Sequence, residues 1–130
     1  MKDETRTWLR YADENLDVAR LALENGYFNA CLQNCQQAVE KYLKSIILER
    51  NFEFRRTHSI QELLAVLRKH EVVINISEDE IDLMDAIYLP SKYPIYGALP
   101  FALPDRRICE VALETVEKVG CSVIEVLNTE

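Results

Sequence analysis

Two histidines, His58 and His70, are the side chains of this 130-residue chain best suited to moving a proton near neutral pH. His58 follows Arg55, Arg56 and Thr57, so two guanidiniums able to grip a phosphate bidentately stand within three residues of an imidazole. In that setting His58 reads as a candidate catalytic residue, a general acid or base. It reads equally as a structural residue that ties down a connector and fixes the start of the following helix. Arg55 and Arg56 are candidate nucleotide- or phosphate-binding residues, reinforced by the amides that open that helix. Their other reading is plain surface charge. A second place with chemistry is Lys92 among Tyr88, Tyr93 and Tyr96. Bases stack on such rings for about 1–3 kcal/mol each, although tyrosines also close bundle ends and populate dimer contacts. Lys44 stands four residues after Glu40 on a helix, an order that favours pairing between the two.

Four cysteines, Cys31, Cys35, Cys109 and Cys121, are too few for a disulfide scaffold in a chain able to bury a core. No pair has C-x-x-C spacing and no histidine adjoins them, so buried reduced thiols are expected in place of a zinc site, and no metal or cofactor is assigned.

The net charge of −7 opposes a general nucleic-acid binder, which holds phosphates with a basic surface. The charge is uneven, however. Arg50, Arg55, Arg56, Arg68 and Lys69 face only Glu53 and Glu62 between residues 50 and 70, whereas residues 71–91 carry six acids and no base. A local anion site is compatible with the acidic total, as is a solvated polar loop. The first residues are polar and no apolar run approaches the ~18 residues of a membrane span, so no membrane association and a cytoplasmic location are expected.

The elements that must position these groups are helical. Hydrophobic residues make up 48% of the chain, and all four prolines fall within residues 90–104, leaving the rest free for long helices. Trp8, Ala12, Leu16, Ala19 and Leu23 give residues 3–25 one apolar stripe, stopped by Gly26. Phe28, Leu32, Cys35, Val39, Tyr42 and Ile46 form a heptad-like seam in residues 27–50, widened by Ala30, Ala38, Leu43 and Ile47, so this helix should be central. After a polar connector, Ser59 and Glu62 form a capping-box pattern for a third helix to about His70; Ser77 and Glu80 form another for a fourth. Val72–Ile76 reads as a connector, since one extended segment has no partner strand. Residues 89–104 read as a long proline-punctured loop, and Asp105 caps a last helix containing Gly120. The expectation is one all-α domain over residues 1–130, an antiparallel up-and-down bundle of about five helices with the proline-rich loop before the last.

Three stretches then stand in a telling order: CLQNCQQAVEKYLKSIILE (31–49), THSIQELL (57–64) and YLPSKYPIY (88–96). Their types and spacing resemble the HEPN family across essentially the whole chain, and the lysine of the family signature falls on Lys44, which the resemblance adds to the candidate nucleotide- or phosphate-binding residues. The resemblance implies an antiparallel helical bundle, commonly a homodimer, often paired with a minimal nucleotidyltransferase in toxin–antitoxin systems. Catalytic members are metal-independent ribonucleases with Arg, four to six residues, then His, completed across the dimer. This chain departs from that motif: Arg56, Arg55 and Arg50 leave one, two and seven residues before His58, and the nearest arginine upstream of His70 is Arg68. Carrying over the tyrosine that some relatives have modified by their partner has no anchor without the motif. The leading expectation is a nucleotide- or RNA-associated partner of a nucleotidyltransferase, not itself catalytic. The alternatives are a metal-independent endoribonuclease with a rearranged Arg/His pair and a protein-interaction scaffold without a small ligand.

Overall fold

The computed structural model describes the backbone of residues 1–92 and 104–129, and the side chains of all of these except 89–92. Five helices make up the described fold: α1 (Asp3–Glu24), α2 (Phe28–Glu49), α3 (Ile60–Lys69), α4 (Glu78–Lys92) and α5 (Arg106–Leu127). No strand occurs among the described residues. The molecule is an all-α helical bundle.

The first three helices stop by the same device. Gly26 (φ 75°), Asn51 (φ 56°) and Glu71 (φ 62°) each take the left-handed conformation one residue past the C-cap. Each turn is then closed by paired amide-to-carbonyl bonds, Tyr27 to Ala22 and Gly26 to Leu23 in the first. Gly26 was legible as such a stop. Asn51 is an accepted substitute, and Glu71 adopts the conformation against the steric cost of its Cβ.

α2 is the axis of the bundle, buried on nearly every side from Cys31 to Ile47. α1 packs antiparallel to it: the Lys2 amide donates to Glu49, Tyr42 donates to Asp13 and Lys41 to Asn15. α5 runs in the same sense as α2. Cys109 donates to the Phe28 carbonyl at its start, Gly120 lies against Tyr42 midway and Arg50 donates to the Val126 carbonyl at its end. α3 also runs with α2, because the connector from Arg50 to Ser59 doubles back along α2. His58 thereby reaches the level of Gln36 and Glu40, while His70, at the other end of α3, stacks on Phe52. α4 returns antiparallel to α3, with Asp85 at the head of α3 and Glu78 beside Arg68 at its tail.

Both capping patterns mark helix starts. Ser77 and Glu80 make the full reciprocal box, the Ser77 amide donating to Glu80 at 2.9 Å and the Glu80 amide to Ser77 Oγ at 3.2 Å. Ser59 accepts from the Glu62 amide, but the Glu62 carboxylate turns to the Thr57 hydroxyl instead of the Ser59 amide. Asp105 caps α5 by accepting from Ile108 at 3.0 Å. The expected loop begins later than Leu89. α4 continues to Lys92 with Pro90 in its last turn, where the missing N–H leaves one carbonyl a turn back without its helical partner. Residues 93–103 lie outside the described part, and with them Tyr93 and Tyr96.

Gly120 sits inside α5, where it costs about 1 kcal/mol of helix propensity. A Cβ there would stand 3.2 Å from Cζ of Tyr42, so the missing side chain is what lets α5 settle onto that ring.

Candidate functional site

α2 contributes three polar side chains to an otherwise apolar stripe: Gln36, Glu40 and Lys44, one helical turn apart and all buried. Their neighbours Val39, Leu43 and Ile47 are buried too, and the half-exposed stripe of α2 runs elsewhere, through Asn34, Gln37 and Lys41. Glu40 therefore answers to its surroundings. Its Oε2 accepts from Lys44 Nζ at 2.8 Å, and its Oε1 lies 3.0 Å from His58 Nδ1. The side chains of Glu40 and Lys44 are 5% and 8% exposed, whereas that of His58 is 52% exposed. A carboxylate cannot donate, so Nδ1 carries the proton of the neutral ring and Nε2 is left as the acceptor.

The returning connector delivers His58 to this place. Gln36 Nε2 donates to the His58 carbonyl at 3.0 Å, pinning the backbone one residue before the cap of α3. Tyr88, one turn from the end of α4, stacks on the imidazole with ring centroids 4.7 Å apart and planes at 17°. A cavity of about 460 Å³ opens beside the pair, lined by Arg56, Thr57, His58, Ser59, Glu62, Asp85 and Tyr88. The arrangement is a half-exposed imidazole fixed by a buried carboxylate on one side and an aromatic ring on its face, with a guanidinium at the rim.

The residues singled out from sequence fare unequally. His58, Arg56 and Tyr88 come together around this cavity. Arg55 faces away, lining a separate hollow with Glu53, Glu62 and Lys69. Lys44 does not line this cavity: it is buried, paired with Glu40 and flanked by the rings of Trp8 and Phe54 at 5.8 and 5.7 Å. The exposed ion pair suggested by its spacing is a buried one. The amides at the head of α3 are also taken, since the Asp85 carboxylate accepts from Ile60 at 2.6 Å, Gln61 at 3.2 Å and Ser59 Oγ at 3.3 Å. A phosphate cannot use those amides while Asp85 holds them. The Lys92 side chain and Tyr93 lie outside the described residues.

Sequence reasoning missed Glu40 as the partner of His58, and Asp85 as the anion at α3. A charged pair on the helix whose apolar seam marks it as central was the available signal for the first; nothing local marks the second.

The cysteines divide. Cys31, Cys35 and Cys109 are buried free thiols clustered where α2 meets α5, while Cys121 is exposed on the outer face of α5, contrary to the expectation that all four pack inside. Hydrogen bonds from Cys35 and Cys109 make Cys31 the most acidic of the three; the bond it gives Cys31 and then burial raise Cys35, and burial lifts Cys109 to about 12. Among the described residues no group of histidine, cysteine and acidic side chains is arranged to hold a metal ion, and no helix is long and apolar enough to cross a membrane.

Comparison with known proteins agrees with this architecture. The model of the HEPN domain family matches residues 5–126. The crystal structure of TT1696 from Thermus thermophilus is 30% identical, with a TM-score of 0.80, covering 95% of this chain and 98% of that one. The crystal structure of ST0689, described as an archaeal HEPN homologue, is 25% identical with a TM-score of 0.73, covering 98% of this chain and all of that one. No curated relative matches the chain.

Proposed function

The chain belongs to the HEPN family, and on that premise we propose that it is a nucleotide- or RNA-associated module that works as a homodimer with a nucleotidyltransferase partner in a toxin–antitoxin-like pair. The partner half of this reading comes from the family resemblance. The ligand half is carried by one observation: the His58–Tyr88 stack beside a cavity of about 460 Å³ with Arg56 on its lining. That volume falls within the range of small-ligand pockets, about 300–1,000 Å³. A base would stack against the ring pair, and a phosphate would meet Arg56, with Arg55 as a more distant cation. The carboxylates of Glu62 and Asp85 do not repel a ligand at full strength, since Thr57 and the α3 amides already engage them.

Calorimetry with nucleoside mono- and triphosphates and short RNA tests this reading. Replacing Arg55 and Arg56 by alanine should abolish the binding seen with the unaltered protein and leave the melting temperature within a few degrees, since both side chains are exposed. Unchanged affinity would refute the assignment.

The Glu40–His58 contact favours a second reading, a metal-independent endoribonuclease. With Nδ1–H directed at Glu40, His58 Nε2 would take the proton of a 2′-hydroxyl as its oxygen attacks the adjacent phosphorus; the P–O5′ bond breaks, leaving a 2′,3′-cyclic phosphate, and the departing 5′-oxygen takes a proton from water to leave as the alcohol. Arg56 would stabilise the charge that develops on the phosphoryl oxygens. RNA cleavage in the presence of chelator, lost in His58→Ala, supports this reading; protein inert toward varied RNAs, alone and with a nucleotidyltransferase, excludes it.

A further inference from the structure

On the opposite flank of α2 from His58, α1 and α5 part to leave a groove of about 630 Å³. Its floor is Leu16, Tyr42, Val116 and Gly120, with Ile124 and Cys121 at one edge. Gly120 forms part of that floor: with no side chain at this point, α5 rests directly on the ring of Tyr42. Acids stand along both banks. Asp13 and Asp17 lie on α1, and Glu114, Glu117 and Glu125 on α5, all exposed. Arg20 is the cation among them, and it is already engaged by Glu117 at 2.8 Å and Asp17 at 3.4 Å. Tyr42 offers no relief, since its hydroxyl donates to Asp13. Beyond the banks, Val18 and Leu21 of α1 are also exposed.

We propose that this groove is a docking site for a basic amphipathic helix of a second protein. An apolar floor flanked by more carboxylates than Arg20 can neutralise complements an apolar ridge flanked by lysine or arginine. The groove spans residues 13–20 of α1 and 116–125 of α5, about 10 and 14 Å respectively at 1.5 Å per residue, which accommodates about two turns of a partner helix. Nucleic acids and anionic lipid surfaces are repelled by the same acids. A second copy of this chain, applying the same face, would set those carboxylates against each other. The site is separate from that around His58 and does not depend on its reading.

The test uses the full chain and a fluorescein-labelled helical peptide of about fourteen residues, leucine on one face and lysine elsewhere. A permuted peptide of the same composition is the control. The amphipathic peptide should bind at least about tenfold more tightly than the permuted one by fluorescence anisotropy. Ile124→Asp and the pair Glu117→Lys/Glu125→Lys should each weaken it by about tenfold or more, while Arg55→Ala/Arg56→Ala leaves it unchanged. Cys121, the exposed cysteine at the groove edge, should react more slowly with N-ethylmaleimide when the peptide is bound. Circular dichroism checks that the variants fold, and the charge-reversal pair decides if Ile124→Asp does not. Equal binding of the permuted peptide, unchanged affinity of the charge-reversal pair or undiminished Cys121 reactivity would each overturn the proposal. So would sedimentation showing that the groove is closed by self-association lost in the same variants.

Discussion

Glu40→Gln is the substitution that most directly probes the interior of this bundle. It keeps the shape and removes the charge of a side chain that is 5% exposed and holds Lys44 at 2.8 Å and His58 at 3.0 Å. Removing one partner of a buried ion pair costs about 3–5 kcal/mol, because the other charge is left without compensation. Lys44 keeps the faces of Trp8 and Phe54 at 5.8 and 5.7 Å, worth about 0.5–1 kcal/mol each where water still reaches them, so the lower end applies. The expected loss is about 3 kcal/mol by urea denaturation at neutral pH, a large share of the roughly 5–15 kcal/mol of an ordinary domain. The corresponding fall in melting temperature is about 12 °C, taking about 4 °C per kcal/mol for a chain of this size. The double variant Glu40→Gln/Lys44→Met removes the stranded charge as well. It should recover at least about half of that loss, since an apolar side chain suits the space between two rings. A loss below about 1 kcal/mol in the single variant, or a double variant no more stable than the single, would show that Lys44 reaches solvent and that Glu40 is not its necessary partner.

Three further outcomes follow from other contacts. Burial alone would raise the Glu80 carboxyl, but Lys118, the Ser77 amide and Thr115 together outweigh it and hold the group at about 2. A carboxyl lowered on folding stabilises above its unfolded value near 4.3 and loses that contribution as pH falls toward 2; with Lys118 41% exposed and screened, about 1–2 kcal/mol is expected. Glu80→Gln should thus lower stability at pH 7 and flatten its decline between pH 5 and about 2, measured by urea titration at each pH; an unaltered slope contradicts the assignment. Gly120→Val should destabilise by about 2 kcal/mol in thermal melts, the crowding against Tyr42 exceeding the propensity gained, and a more stable protein would mean that the ring yields freely. Asp85→Ala should cost about 1–2 kcal/mol by loss of the cap on α3 and, by freeing the Ile60 and Gln61 amides, raise affinity for inorganic phosphate in calorimetry; undetectable phosphate binding would refute the second half.

Much of the fold is written locally, and the sequence by itself determines it. Apolar residues at steps of three and four, the Gly26 stop, the Ser77–Glu80 box and the Asp105 cap are interactions within a turn or two of one chain segment, so residue order alone discloses five helices and their starts. Family membership was legible for the same reason, through short motifs at fixed separations. The site was legible only in part. His58, Arg56 and Tyr88 were identifiable by type, but their meeting depends on a connector that folds back along α2 instead of reaching across the bundle, and no periodicity encodes that direction. Tertiary structure alone decided that Glu40 and Lys44 form a buried pair, that Asp85 on α4 supplies the anion for α3, and that Gly120 lets α5 close onto Tyr42. Each of these pairs groups from helices remote in sequence or surrounds them with such helices, and a side chain's charge, exposure and free valences are set by those neighbours and not by its own turn.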